Sequence, residues 1–185
     1  MLHKSVKISI FYLIFAIFMS SYAYSGGFTH LPRNFGPFEV GMSTSEFTDV
    51  TGIKPEACPI CIKNESFATM DADQLSRFDN TDTGGDGADF FFYGNKLYHI
   101  SAGPEVKDLF LAKQEYEMLF GGPGTTIDQG NGSAIVKWED SGTVITLNYR
   151  PDQNEVFSLN FFDWNLKEER DWRESIALEQ NLSKN

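Results

Sequence analysis

Apolar positions along this chain recur at two spacings, and the changes from one to the other divide it into helices and strands. From Phe38 to Gly52 the order is Phe-Glu-Val-Gly-Met-Ser-Thr-Ser-Glu-Phe-Thr-Asp-Val-Thr-Gly. Ser43 is placed to cap the amide three residues on, Glu46 to reach back to the Ser43 amide, and Met42 to pack on Phe47. This predicts a helix over Thr44 to Thr51 with Gly52 as its left-handed stop. Leu109, Ala112, Tyr116 and Leu119 form a helical stripe, predicting a second helix from Glu105 to Phe120, closed by Gly121-Gly122-Pro123. A third, Leu166 to Leu182, is rich in helix formers and in charges four apart, such as Glu169 with Arg173 and Arg170 with Glu174. Residues 165–185 thus form a C-terminal helix or tail.

Elsewhere the period is two. Asp89 to Tyr93 and Lys96 to Ser101 flank Gly94-Asn95, a pair that tolerates positive φ, so a β-hairpin is predicted. Ala134 to Asp140, Thr143 to Tyr149 and Glu155 to Phe162 read as a three-strand meander, turned at Ser141-Gly142 and at Pro151-Asp152-Gln153-Asn154. Val136 and Trp138, then Ile145, Leu147 and Tyr149, then Phe157, Leu159 and Phe161 alternate, giving the sheet one apolar face that must be covered. Helix, strands, helix, strands, helix is not a strict strand-helix alternation. The expected fold is therefore α+β: an antiparallel sheet with helices packed on one face, built from two similar helix-plus-strands units.

The first 25 residues change the picture of where this domain works. Lys4 and Lys7 precede an apolar run from Ile8 to Met19, and Ala23 and Ser25 are small residues before Gly26, the layout of a secretory signal peptide. Residues 1–25 are assigned as the leader and 26–185 as one domain, secreted or periplasmic, with Gly26 to Asn34 as a disordered lead. The twelve-residue apolar run is shorter than the ~20 residues that cross a bilayer, and no later run is longer. Losing Lys4 and Lys7 moves the formal charge from −11 to −13. An acidic surface of this kind repels phosphate backbones, so nucleic acid is not an expected partner; a basic protein surface is.

The string Phe38 to Gly52, an apolar lead into Gly-Met-Ser and a helix bearing Phe47 and Val50, with Cys58 nearby, resembles the repeat opening of β-lactamase-inhibitor-protein-like domains and of BamE-type outer-membrane assembly lipoproteins. The resemblance implies a small exported α+β fold with paired helices against an antiparallel sheet, binding proteins without chemistry. The second half has no Gly-Met-Ser, and the lipidation cysteine of the BamE type is absent.

Three groups of residues remain as chemical candidates. Cys58-Pro59-Ile60-Cys61 is a two-cysteine motif; an exported chain with only these two cysteines most simply oxidises them to each other, while a redox-active pair would need a strand-to-helix context. The acidic, glycine-rich run from Asp79 to Phe91 offers Asp82, Asp86 and Asp89 as oxygen ligands for calcium, against the plainer reading of a loop feeding a strand. Phe91, Tyr93, Tyr98, Trp138, Phe162 and Trp164 crowd the strands; consecutive aromatics cannot share a face, so some lie on the second face of the sheet. That face is either a recognition surface or buried in turn beneath the C-terminal segment. His30 and His99 are the histidines outside the leader, and neither has a nucleophile elbow beside it. The expectation is a non-enzymatic exported domain, without a required cofactor, that binds another protein as an inhibitor or cell-envelope accessory factor. A thiol-disulfide protein and a calcium-dependent binding module are the alternatives.

Overall fold

The computed structural model describes residues 30–58, 64–81 and 83–182, with side chains as far as Ile176. The leader, Cys61 and Asp82 lie outside the described residues. In chain order the elements are β1 (Asn34–Phe35), β2 (Phe38–Glu39), α1 (Thr44–Thr51), β3 (Glu56–Ala57), β4 (Glu65–Met70), α2 (Ala72–Leu75), β5 (Ala88–Tyr93) and β6 (Lys96–Ala102). They continue with α3 (Leu109–Leu119), β7 (Thr125–Asp128), β8 (Ala134–Glu139), β9 (Thr143–Arg150), a 3-10 turn at Pro151–Gln153, β10 (Glu155–Asp163) and α4 (Trp164–Leu182).

The first helix is written locally and forms as written. Ser43 Oγ accepts from the Glu46 amide at 3.2 Å, Glu46 returns a carboxylate to the Ser43 amide at 2.6 Å, and Gly52 stops the helix at φ 72°. The hairpin at Gly94-Asn95 also forms, with both residues at positive φ (56° and 65°) as a tight turn between right-twisted strands demands. The second helix starts at Leu109, the first residue of its apolar stripe, and not at Glu105 as predicted. Asp108, not Glu105, is the N-cap, its side chain accepting from the Leu111 amide at 3.0 Å. Residues after Pro104 stay outside the helix, where the Lys107 carbonyl accepts the Val156 amide at 2.8 Å.

Strands β3 to β10 make one antiparallel sheet in the order β3-β4-β5-β6-β10-β9-β8-β7. Two four-strand meanders therefore meet through their last strands. The equivalence between them runs residue by residue: the N-cap of α1, Ser43, bridges Lys96 at the start of β6, as the N-cap of α3, Asp108, bridges Glu155 at the start of β10. Leu97 N–H bonds Met42 O, and Val156 N–H bonds Lys107 O, each at 2.8 Å. One residue further on, each strand carries a bulge, at Tyr98 in β6 and Phe157 in β10. At the seam Ile100 faces Phe161, Ala102 faces Leu159, and Ser101 pairs with Asn160 at the centre. This is the two-unit plan expected from the pattern.

One sheet face holds the core. Phe47 of α1, fully buried, packs on Phe38, Phe90 and Phe92, and Phe120 after α3 meets Trp138 edge-on at 5.1 Å. Ile100, Ile145, Leu147 and Val136 complete that layer. Residues in between, Glu65, Phe91, His99 and Phe162, point to the opposite face, where α4 lies. Arg170 Nε reaches Glu65 there at 2.6 Å, and Lys137 Nζ sits 5.4 Å from the Trp164 ring centre. Helices thus pack on the antiparallel sheet, with the last one taking the second face and burying part of it.

The segment preceding β1 is a strap from His30 onward, where a disordered lead was expected. The Leu31 amide donates to Asp140 at 2.6 Å, and Arg33 binds Asp163 at 2.5 Å and the Gly142 carbonyl at 3.2 Å. It ties the second unit to the first through Arg33 and the Val40 carbonyl, 3.1 Å apart.

Candidate functional site

On the helix side of the seam the two units do not close over the sheet, and a cleft of about 1150 Å³ remains. Its floor is apolar, made by Phe35 from β1 and by Leu159 and Phe161 of β10. One wall comes from α2 and the loop after it, Ala72 to Thr81 together with Thr83, where the Thr81 hydroxyl donates to the Leu75 carbonyl at 2.7 Å. The other wall is the C-terminal half of α3, with Glu115, Tyr116, Leu119 and Phe120. The sequence places these groups far apart; the meeting of the two meanders brings them together.

Charge in the cleft has one sign. Asp73, Asp79, Glu105 and Glu115 line it, no lysine or arginine does, and none of the four acids joins an ion pair among the described residues. Burial, with Glu115 and Glu105 adding to it, pushes the Tyr116 hydroxyl up to about 12. His30 lies at the rim with its side chain 77% exposed. The buried hydroxyls of Thr81 and Thr83 are committed to the carbonyls of Leu75 and Phe78 and of Asp86. The lining is suited to holding a ligand by apolar contact and by attraction to positive charge.

The apolar surface continues outside the cleft along α3. Phe110 (71% exposed), Leu111 (54%), Met118 (71%) and Leu119 (52%) project from it, and Leu119 also lines the cleft. Leu111, Glu115, Met118 and Leu119 share a helical face by their spacing.

The residues singled out in the sequence are distributed differently. Trp138 belongs to the core face, 6% exposed, its indole N–H donating to the Gly122 carbonyl at 2.9 Å, so it is removed from any recognition surface. Tyr93 and Tyr98 are buried as well; the Tyr98 hydroxyl donates to Glu65 at 3.3 Å, and burial, reinforced by Glu65, raises it to about 12. Phe91 and Phe162 are half-buried on the second face, where they sandwich His99 with ring centres 4.8 and 4.3 Å away. Burial lowers His99 to about 4, against the opposing effect of its Asn160 hydrogen bond at 3.0 Å. Trp164 is half-buried at the start of α4, between Lys137 and Lys167.

The proposed calcium ligands are not gathered. Asp86 pairs with Lys107 at 2.9 Å, Asp89 accepts from the Thr69 hydroxyl at 2.7 Å on the second sheet face, and Asp82 lies outside the described residues. Among the described residues no cluster of three potential metal ligands occurs. Cys58 follows β3, its amide bonding the Glu65 carbonyl at 3.2 Å, and Cys61 lies outside the described residues. No described helix is long and apolar enough to cross a membrane. Compared with protein-family models, curated proteins and solved structures, the chain matches none.

Proposed function

We propose that this chain is an exported, non-enzymatic protein-binding domain, an inhibitor or cell-envelope accessory factor, whose partner docks on the helix side at the seam cleft. The observation that carries this reading is the continuity of the apolar-floored cleft with the exposed side chains of α3. Leu111, Met118 and Leu119 share one face of α3 and are each more than half exposed, and grouped exposed apolar surface of this kind favours an interaction site. The aromatic face first suggested by the sequence is the weaker candidate, since α4 occupies part of it and three of its six aromatics are buried. The similarity of Phe38–Gly52 to inhibitor-protein-like and BamE-type domains supports the same reading as an analogy of fold alone.

Export by residues 1–25 and a Cys58–Cys61 bridge belong to this proposal. Among the described residues no cysteine is free, and a bridge closing so short a loop stabilises the folded chain by about 2 kcal/mol. A reduction potential below about −300 mV marks the bridge as structural; a markedly higher one favours the thiol-disulfide reading.

The test is capture of a partner from the native envelope or medium by the immobilised mature domain, run beside Met118→Asp and Leu119→Asp variants and a Phe91→Ala control. A partner retained by wild type and the control, and lost from both helix variants, supports the reading. Capture indifferent to Met118 and Leu119 overturns it.

A further inference from the structure

Resting on the reading just given, we infer that the seam cleft receives a lysine- or arginine-rich polypeptide segment of the partner, with an apolar side chain seated on the floor formed by Phe35, Leu159 and Phe161. Two independent features lead to this occupant. The floor and the Leu119 wall are apolar and concave, the arrangement that accepts a side-chain anchor. Around them stand Asp73, Asp79, Glu105 and Glu115, with no lysine or arginine in the lining and no ion pair of their own among the described residues.

The contrast with a neighbouring acid is informative. Asp86, at the edge of the same loop, is matched by Lys107 at 2.9 Å, and Glu65 on the far face is matched by Arg170. Those two acids have cations of the fold's own, whereas the four in the cleft have none among the described residues and stand open to a cation from outside. A chain of formal charge −11 adds a long-range field of the same sign, which speeds the approach of a basic segment and turns away acidic ones. The cleft is open along the seam, so a segment can lie across it with charges on the rim and one apolar side chain down. An anionic ligand, a phosphate or a nucleic acid backbone, finds no lysine or arginine among the described residues of the lining.

The experiment measures fluorescence anisotropy of a labelled lysine-rich peptide with a central Phe-Leu pair. Its two controls replace the lysines by glutamate or the Phe-Leu pair by serine. Each is titrated with the mature chain and with Asp79→Lys, Glu115→Lys, Leu119→Asp and, on α4 away from the cleft, Glu168→Lys. Thermal melts confirm that each variant is folded. Binding of the lysine peptide is expected to weaken about tenfold in Asp79→Lys or Glu115→Lys, to weaken in Leu119→Asp, to fall with added salt, and to stay unchanged in Glu168→Lys. Loss of either the lysines or the Phe-Leu pair is expected to abolish it.

Several results overturn the inference. They are no binding of the lysine peptide, equal binding of the glutamate peptide, an equal loss in Glu168→Lys and Glu115→Lys, or a dimer of this chain that Leu119→Asp dissolves. A partner whose capture needs Met118 and Leu119 but not Asp79 or Glu115 sinks the basic-segment inference and leaves the docking reading standing. Indifference to Leu119 in both experiments sinks the two together.

Discussion

Replacing Arg170 by methionine removes the cation that neutralises Glu65 beneath α4 and keeps most of the apolar stem. The two groups are 2.6 Å apart, with the Glu65 side chain 4% exposed and that of Arg170 22%. At an effective dielectric near 20 the gross attraction at that distance is about 6 kcal/mol, much of it offset by desolvation. Burial works against the guanidinium's charge, but its bonds to Glu65 and Asp171 outweigh it and hold the group firmly protonated. Breaking a buried pair by removing one partner costs about 3–5 kcal/mol; the residual exposure of Arg170 reduces the expected loss to about 2–3 kcal/mol. For a chain of this size that is a fall in Tm of roughly 4–12 °C. The assay is urea unfolding followed by the fluorescence of the three tryptophans, two of which, Trp164 and Trp172, sit on α4. The double variant Arg170→Met with Glu65→Gln should regain at least half the loss, because no buried charge is then left unpaired and the Tyr98 hydroxyl keeps an acceptor 3.3 Å away. A single variant within about 0.5 kcal/mol of wild type, or a double variant no better than the single, refutes the argument that this pair seats α4 on the sheet.

His99 should make stability depend on pH. Its folded value of about 4 lies below the ordinary 6.5, with Asn160 and Asp89 opposing the shift and Lys167 adding to burial. Both states leave the ring neutral above pH 6.5. Between 6.5 and 4 the unfolded chain protonates first, so stability falls with pH by up to about 3 kcal/mol. His99→Phe should lose that dependence, and urea unfolding at pH 7 and pH 4.5 showing the same difference between variant and wild type would argue against it. Ser43→Ala, which removes one arm of the capping box, should cost about 1 kcal/mol in the same assay; no loss means that packing alone holds α1. Gly124→Ala places a methyl 2.5 Å from Val136 Cγ1 and 2.9 Å from the Lys137 carbonyl, and should cost about 1–3 kcal/mol by overpacking β8. A neutral result would show that the loop before β7 yields.

Legibility in the sequence followed how local the determinants are. α1 could be read to its end residues because Ser43, Glu46 and Gly52 carry their own instructions. The hairpin around Gly94-Asn95 was equally plain, and β8, β9 and β10 were placed to within a residue. β4 was missed because Glu65-Ser-Phe-Ala-Thr-Met70 gives little contrast between faces. One of its two buried ends is a glutamate, tolerated there only because Arg170 arrives from the far end of the chain. β7 was missed for the opposite reason: as an edge strand it is exposed throughout and carries no burial pattern. Among the aromatics, alternation predicts that some turn to the second face, and Phe91 and Phe162 do, but it cannot say that Trp138 is spent on the core. The cleft was invisible because its lining comes from the strap, α2 and its loop, α3 and β10, which only the seam assembles.

The seam also sets the order of events in folding. Each meander pairs strands that follow one another along the chain, so its contacts close short loops, whereas β6 and β10 meet across a long stretch of sequence and must wait for both units. The strap at Leu31 and Arg33 and the last helix each hold groups from both units, so neither can seat until the seam has closed. The two ends of the described chain are therefore the last parts to lock and the first to let go. The four residue pairs from His99–Phe162 to Ala102–Leu159 are then the expected line along which the two units separate on unfolding.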